Sequence, residues 1–304
     1  MLIVNCHNVV SGDLDAFDRL SAPRIDMDNF ISAIDWLSCR YEFISFDDMF
    51  SLIHQKVHNP KAVTLTFDDG YQGILKHAFP ILKARGIVAS VMVVTQVLES
   101  PRSLFHFEEV EMAFRLSKVT ELILPGYGVV PIRTIEERVA CLRKIKQKLK
   151  FQPETMRAVN HEQLLRLLEV TREQVQEEAE KYIVFNKLTG ENLKNLAENG
   201  WTIGSHTRTH RTLRFLNDRD ARSEIVGARD DVRSYFGVSQ MPFAYPYGGL
   251  EHVGERIRSM VSKSGYSCAL GTRYDTIGFD PDLFFLNRVD ITACQSLMDC
   301  NPKH

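Results

Sequence analysis

The chain has almost no net charge, and this first absence already excludes classes of partner. Its 37 basic residues stand against 39 acidic ones, a formal −2. Without a basic excess, nucleic acid and anionic membrane surfaces are disfavoured. No apolar run approaches the roughly 18 uncharged residues of a membrane span. The opening Met1-Leu2-Ile3-Val4-Asn5-Cys6-His7 lacks a basic n-region, a long apolar stretch and a small-residue cleavage site. It therefore reads as a first core strand and not as a secretory signal. Cysteine is sparse: Cys6, Cys39, Cys141, Cys268, Cys294 and Cys300 form no C-x-x-C pair and no framework spacing. Buried free thiols in a reducing compartment fit that scatter, so a cytoplasmic enzyme is the expectation. Internal repeats and low-complexity linkers are missing as well.

What is present is an ordinary globular composition, 304 residues with 44% hydrophobic and 25% charged. That length buries a sizeable core and suits one large domain or two small ones. Short apolar runs alternate with helical patterns, which points to βα units and a mainly parallel sheet or barrel. The expected strands are Leu2–Cys6, Ala62–Phe67, Ile87–Val94, Trp201–Gly204, Pro242–Tyr247, Tyr266–Ala269 and Phe285–Ile291. Most are too continuously apolar to have one wet face, so helices should cover them. Met27–Ser38, Gln72–Arg85, Glu191–Glu198 and Arg219–Phe236 carry helical spacing, with Gly86 and Gly200 placed to end helices in left-handed backbone. Thr189 with Asn192 is a weakened capping box.

Residues 104–182 break the rhythm. Thr134-x-x-Glu137 is a capping box followed by Val139, Leu142, Ile145 and Leu149 at helical spacing, and a second helix is expected after Asn160. This stretch reads as a helical insertion between strands, within a single domain spanning 1–304. It either covers hydrophobic surface or walls the active site. Lys144, Lys146, Lys148 and Lys150 read as a solvated face near a helix C-terminus. Asp13, Asp15 and Asp18 lack the Gly and terminal Glu of a calcium loop and read as a loop or rim.

Three motifs carry chemistry. Thr66-Phe67-Asp68-Asp69-Gly70 follows a strand. Adjacent carboxylates there cannot point the same way, so one can bind a cation while the other moves a proton. Taken alone, Asp-Asp-Gly is more often a turn. Ser205-His206-Thr207-Arg208-Thr209-His210 follows another strand, and on a helical turn the two imidazoles would share a face and grip one metal. Phe243-Ala244-Tyr245-Pro246-Tyr247-Gly248-Gly249 is either an aromatic turn or an oxyanion donor at the Tyr247 N–H with rings walling a sugar pocket.

The ordered set Thr-Phe-Asp-Asp-Gly, Ser-His-Thr-x-Thr-His and Tyr-Pro-Tyr-Gly resembles the polysaccharide deacetylases, carbohydrate esterase family 4. Leu193–Leu213 (LKNLAENGWTIGSHTRTHRTL) is similar to that family around its second motif, and Cys6-His7 resembles its early Tyr-His. The resemblance covers roughly Met1–Val94 and Leu188–Ile291, and the third motif is closest to the subgroup acting on poly-N-acetylglucosamine. It implies an α/β fold, a distorted (β/α) barrel of about seven strands. It implies that Asp69, His206 and His210 bind a divalent ion, zinc first, although the donors also suit cobalt, nickel, iron or manganese. By the same resemblance Asp68 is the base and the Tyr247 N–H holds the oxyanion.

The match has gaps. Ala244 stands where the family often has the Arg that braces the base. Arg288 can fill that place from the last strand, or it closes the barrel as a structural pair. Tyr245 and Arg288 are expected on the substrate side. The family's late Leu-x-His is not recognisable: Leu297-Met298-Asp299-Cys300 has Asp299, and His304 is the last residue. His7 is the remaining candidate for the acid, since the unperturbed imidazole, with a pKa of about 6.5, suits that task. The expected function is a metal-dependent hydrolase that takes an N-acyl group, N-acetyl first, from an amino sugar or glycoside. An N-formyl or ureide hydrolase, or a sugar-binding protein without catalysis, stay open as alternatives. Oligomeric state is not legible.

Overall fold

The computed structural model describes residues 1–12, 15, 17–18, 24–124, 126, 128–238, 240–273 and 275–293. The chain divides into two compact units. One comprises Met1–Ser11, Arg24–Pro101 and Lys187–His304; the other comprises Gly12–Pro23 and Arg102–Asn186.

Among the described residues, the first unit is built on a parallel sheet of eight strands: β1 (Leu2–Cys6), β2 (Glu42–Phe43), β3 (Ala62–Asp69), β4 (Ser90–Val93), β5 (Thr202–Ser205), β6 (Pro242–Ala244), β7 (Cys268–Leu270) and β8 (Val289–Asp290). Seven run in the order β7-β6-β5-β4-β3-β1-β8, with β2 pairing beside β3. The register is parallel throughout, for example Val4 with Leu65 and Phe67 with Val91. A bridge between Leu270 and Leu286 brings the chain before β8 back to β7. Since β8 pairs with β1 (Val4 with Val289), the sheet curls into a distorted barrel. Each of the seven expected strands supplies one member. Every residue of β3, AVTLTFDD, is buried, as a parallel strand covered on both faces requires. Ile3, Met92, Ala244 and Leu270 from strands around the ring and Leu286 from the bridge before β8 fall in one packed cluster, so the barrel is filled.

Helices form where the patterning expects them. In Met27–Ser38 the Asp26 carboxylate accepts from the Asn29 N–H and caps the first turn. Phe30, Ala33, Ile34 and Leu37, at i, i+3, i+4 and i+7, are its buried stripe. Burying the three large side chains contributes about 1.5–3 kcal/mol each. Gly86 and Gly200 take φ of +67° and +83°, and both halves of the Thr189–Asn192 capping box are made. Trp201 is core, stacked on Phe67 at 5.7 Å. No described helix is long and apolar enough to cross a membrane.

The second unit holds helices His106–Leu116, Ile135–Lys150, Glu154–Leu167 and Arg172–Ala179 around a core that includes Phe114, Leu142, Leu164 and Val175. The Thr134–Glu137 capping box is made. Two features depart from expectation. The helix expected after Asn160 is two helices, because Glu169 takes left-handed backbone (φ +56°) and Thr171 caps a new start. An antiparallel hairpin, Glu121–Leu124 with Gly128–Pro131, was not apparent in the patterning. Asp15 and Asp18 pair with Arg115; Asp13 lies outside the described residues.

Candidate metal centre

The candidate residues gather at one end of the barrel, the C-terminal ends of its strands. Asp68 and Asp69 end β3, His206 follows β5, Tyr247 follows β6, and His7 follows β1. Side chains alternate along a strand, so the two aspartates diverge. Asp69 takes φ +72° and Gly70 +82°, which turns the chain at once.

The Asp69 carboxylate meets both imidazoles. Its Oδ1 lies 3.6 Å from His206 Nε2 and 3.4 Å from His210 Nε2. One ligand atom from each of the three residues falls within 4.8 Å of the others, the only such metal-competent group among the described residues, and all three residues are buried. The His206 Nδ1 sits 2.8 Å from the Ala244 carbonyl oxygen. A carbonyl only accepts, so Nδ1 carries a proton, and Nε2 is the ring nitrogen turned toward Asp69. Donors about 2.0–2.2 Å from a tetrahedral zinc ion stand roughly 3.3–3.6 Å apart, and the two Asp69–His separations match. The oxygen and imidazole set fits a divalent ion.

The loop between the histidines is not the helical turn that their spacing suggests. Thr207 and His210 take φ of +69° and +56°, and Thr207 Oγ1 accepts the His210 N–H at 3.0 Å. The imidazoles converge through this strained loop, their ring centroids 4.9 Å apart. Four of the six non-glycine residues with positive φ among the described residues, Asp69, Thr207, His210 and Tyr247, belong to this centre. Strain concentrated in this way is characteristic of functional sites.

Asp68 turns to Arg288. Nη1 and Nη2 donate to Oδ1 and Oδ2, both at 2.8 Å, in a two-pronged pair. Arg288 Nη1 also donates to Asn5 Oδ1 (3.0 Å) and Thr66 Oγ1 (3.2 Å), and Nε donates to the Gly271 carbonyl (3.0 Å). Burial is the largest single influence and pushes the Asp68 carboxyl up, but the charge and hydrogen bonds of Arg288 together with His206 and His7 outweigh it and hold the group at about 2. Arg288, just before β8, is thus the cation that holds the Asp68 carboxylate.

The two residues expected on the substrate side are both buried. The Arg288 side chain is 0% exposed, its donors spent on Asp68 and the strand ends. Tyr245 is 1% exposed, with its hydroxyl on the Phe284 carbonyl at 2.9 Å and its ring against Phe243 and Phe285. Pro246 ends the strand pattern, and it is Tyr247 that emerges half-buried, with φ +63°, its ring edge-on to His210 at 5.0 Å. The Gly249 N–H and Thr272 Oγ1 both donate to its carbonyl at 2.9 Å. His7, directly after β1, is half-buried, and its charge is among those that lower the Asp68 pKa. Asp299 and His304 lie outside the described residues.

The sequence reading missed Glu224. It is a buried acid on the apolar face of helix Asp218–Phe236, in step with Ala221, Ile225, Ala228 and Val232. A charge inside a helical core stripe is a signal that it has a polar partner.

The polysaccharide deacetylase family profile matches residues 55–117 and 151–269, more than half of the chain. YxkH of Bacillus subtilis (strain 168), a candidate polysaccharide deacetylase, is 27% identical over 109 residues, 36% of this chain and 38% of that protein. The match thus spans well under half of that relative. Among solved structures, the Streptococcus pyogenes deacetylase PplD in complex with acetate superposes with a TM-score of 0.62 at 15% identity, covering 98% of this chain and 96% of that one. The de-N-acetylase of Aggregatibacter actinomycetemcomitans gives 0.57 at 17% identity, with 95% of both chains covered. IcaB from Ammonifex degensii gives 0.57 at 15%, with 98% of both covered. At these identities the likeness is one of fold.

Proposed function

Because this chain belongs to the polysaccharide deacetylase family, we propose that it is a metal-dependent hydrolase that removes an N-acyl group, N-acetyl first, from an amino-sugar unit. One observation carries the reading: a carboxylate pinned by a buried arginine sits next in sequence to a carboxylate that converges with two imidazoles. A sugar-binding protein has no need of the first.

Asp69, His206 and His210 would hold the ion, zinc or another divalent metal. Bound there, it supplies a Lewis acid for the amide carbonyl and lowers the pKa of water. Asp68, kept ionised by Arg288, takes the proton of the attacking water, and its bidentate pairing fixes the direction from which it does so. The Tyr247 N–H donates to the oxygen on which negative charge develops. His7 delivers a proton to the departing amine. Free Cys6, Cys39, Cys141 and Cys268 suit a reducing compartment. In the cytoplasm the fitting substrate is a small or precursor sugar, such as a sugar nucleotide, a lipid-linked sugar or a glycoside.

Acetate release from N-acetylglucosamine-bearing compounds of these classes tests the proposal. Release should stop on chelation and return with Zn²⁺ or Co²⁺. Undiminished release in the chelated, metal-free protein would remove the metal from the mechanism. Release from N-formyl or ureide compounds alone would change the substrate class.

A further inference from the structure

The loop bearing His206 and His210 holds Thr207, a β-branched residue, in left-handed backbone. That conformation persists only where its surroundings enforce it. One face of helix Asp218–Phe236 supplies the restraint. Glu224, 4% exposed, accepts the Arg208 N–H at 3.0 Å, the Thr209 N–H at 2.9 Å and the Thr209 hydroxyl at 2.5 Å. Seven residues on, two turns along the same face, Asp231 accepts Arg208 Nε and Nη2, both at 2.8 Å, and the Thr95 hydroxyl at 2.6 Å. The other side of the loop is tied to the backbone after β4. The Thr95 N–H donates to the Thr207 carbonyl at 3.0 Å, and the Gln96 N–H donates to the Arg208 carbonyl at 2.9 Å.

Between the two acids lies Gly227. A Cβ there would come within 2.7 Å of Arg208 Nε and 2.9 Å of its Cδ and Cζ. Glycine is a poor helix former, and this one sits in mid-helix. Its missing side chain is the space in which the Arg208 guanidinium crosses to Asp231.

We propose that Glu224, Arg208 and Asp231 are positioning residues for the metal ligands, and that Gly227 is a glycine to admit them. The clamp fixes the peptides between His206 and His210, hence the separation of their Nε2 atoms and the affinity for the ion. This rests on Asp69, His206 and His210 being the metal site.

The test is the dissociation constant of Zn²⁺ from the full chain, measured by competition with a chromophoric chelator, together with the melting temperature of the metal-free protein. Losing an outer partner of a metal ligand typically weakens binding 10–100-fold; Glu224 and Asp231 hold the residues between the ligands and not the imidazoles themselves, so a loss at the lower end, about 10-fold, is expected for Glu224→Gln and Gly227→Ala. Gly227→Ala is the discriminating variant. Alanine favours the helix, so metal-free melting should hold or rise while affinity falls. In an Arg208→Ala background, Gly227→Ala should change affinity no further, because the group it displaces is gone. If Glu224→Gln does not fold, Gly227→Ala and its double variant decide alone. Wild-type affinity in Gly227→Ala, with Asp69→Ala unable to bind, overturns the clamp and leaves the metal site standing. Equal binding by wild type and Asp69→Ala overturns the metal site itself.

Discussion

Changing Asp68 to Asn is expected to lower turnover by about 10²–10⁴-fold, the usual contribution of a positioned acid–base group, with divalent-ion affinity close to that of wild type. The separation of roles follows from the direction of the two carboxylates. Asp69 Oδ1 faces the imidazoles, whereas both oxygens of Asp68 are engaged by Arg288. Asn keeps the shape and one acceptor for the guanidinium but cannot take a proton. Held near pKa 2, the native carboxylate is fully ionised at neutral pH yet weakly basic. Its value therefore lies in placement as much as in basicity. Steady-state kinetics beside a metal titration distinguish the cases. Unimpaired turnover in the variant would strip Asp68 of its role, and joint loss of metal and turnover would make it a ligand.

Arg288→Met should be among the most destabilising single substitutions in the first unit. Asp68 is 2% exposed, and without the guanidinium its charge is buried with no comparable partner. Breaking a buried pair from one side costs about 3–5 kcal/mol, and Asn5, Thr66 and the Gly271 carbonyl would lose a donor as well. Adding Asp68→Asn to Arg288→Met removes the orphaned charge and should restore part of the loss. Urea unfolding of the two single variants and the double variant measures this. A double variant that loses the full sum of the single losses would mean that the pair is not coupled.

How far the fold could be read in advance depended on which physics dominated each segment. Runs such as Ala62–Phe67 are apolar on both faces, and that pattern has few outcomes besides a buried parallel strand. Helix Met27–Ser38 was equally clear because cap and stripe agree. Where the outcome depends on tertiary partners the sequence was mute. His206 and His210 are spaced like neighbours on a helix, yet the Thr207 hydroxyl and the clamp from Glu224 bend them together by another route. Tyr245 read as a pocket wall because an aromatic turn offers the same letters whichever way its rings face. Arg288 was legible as either a brace for Asp68 or a structural pair closing the barrel; which of the two it is, across 220 residues, depends on the closure of β8 on β1.

The most direct measurement is the anomalous scattering of a crystal grown with a divalent ion, recorded at that ion's absorption edge. A single strong peak should lie within about 2.0–2.2 Å of one Asp69 oxygen and of Nε2 of both His206 and His210, with Asp68 still on Arg288 and outside the bonding distance. A peak elsewhere, or Asp68 swung away from Arg288 to ligate the ion, would contradict the division of labour between the two aspartates.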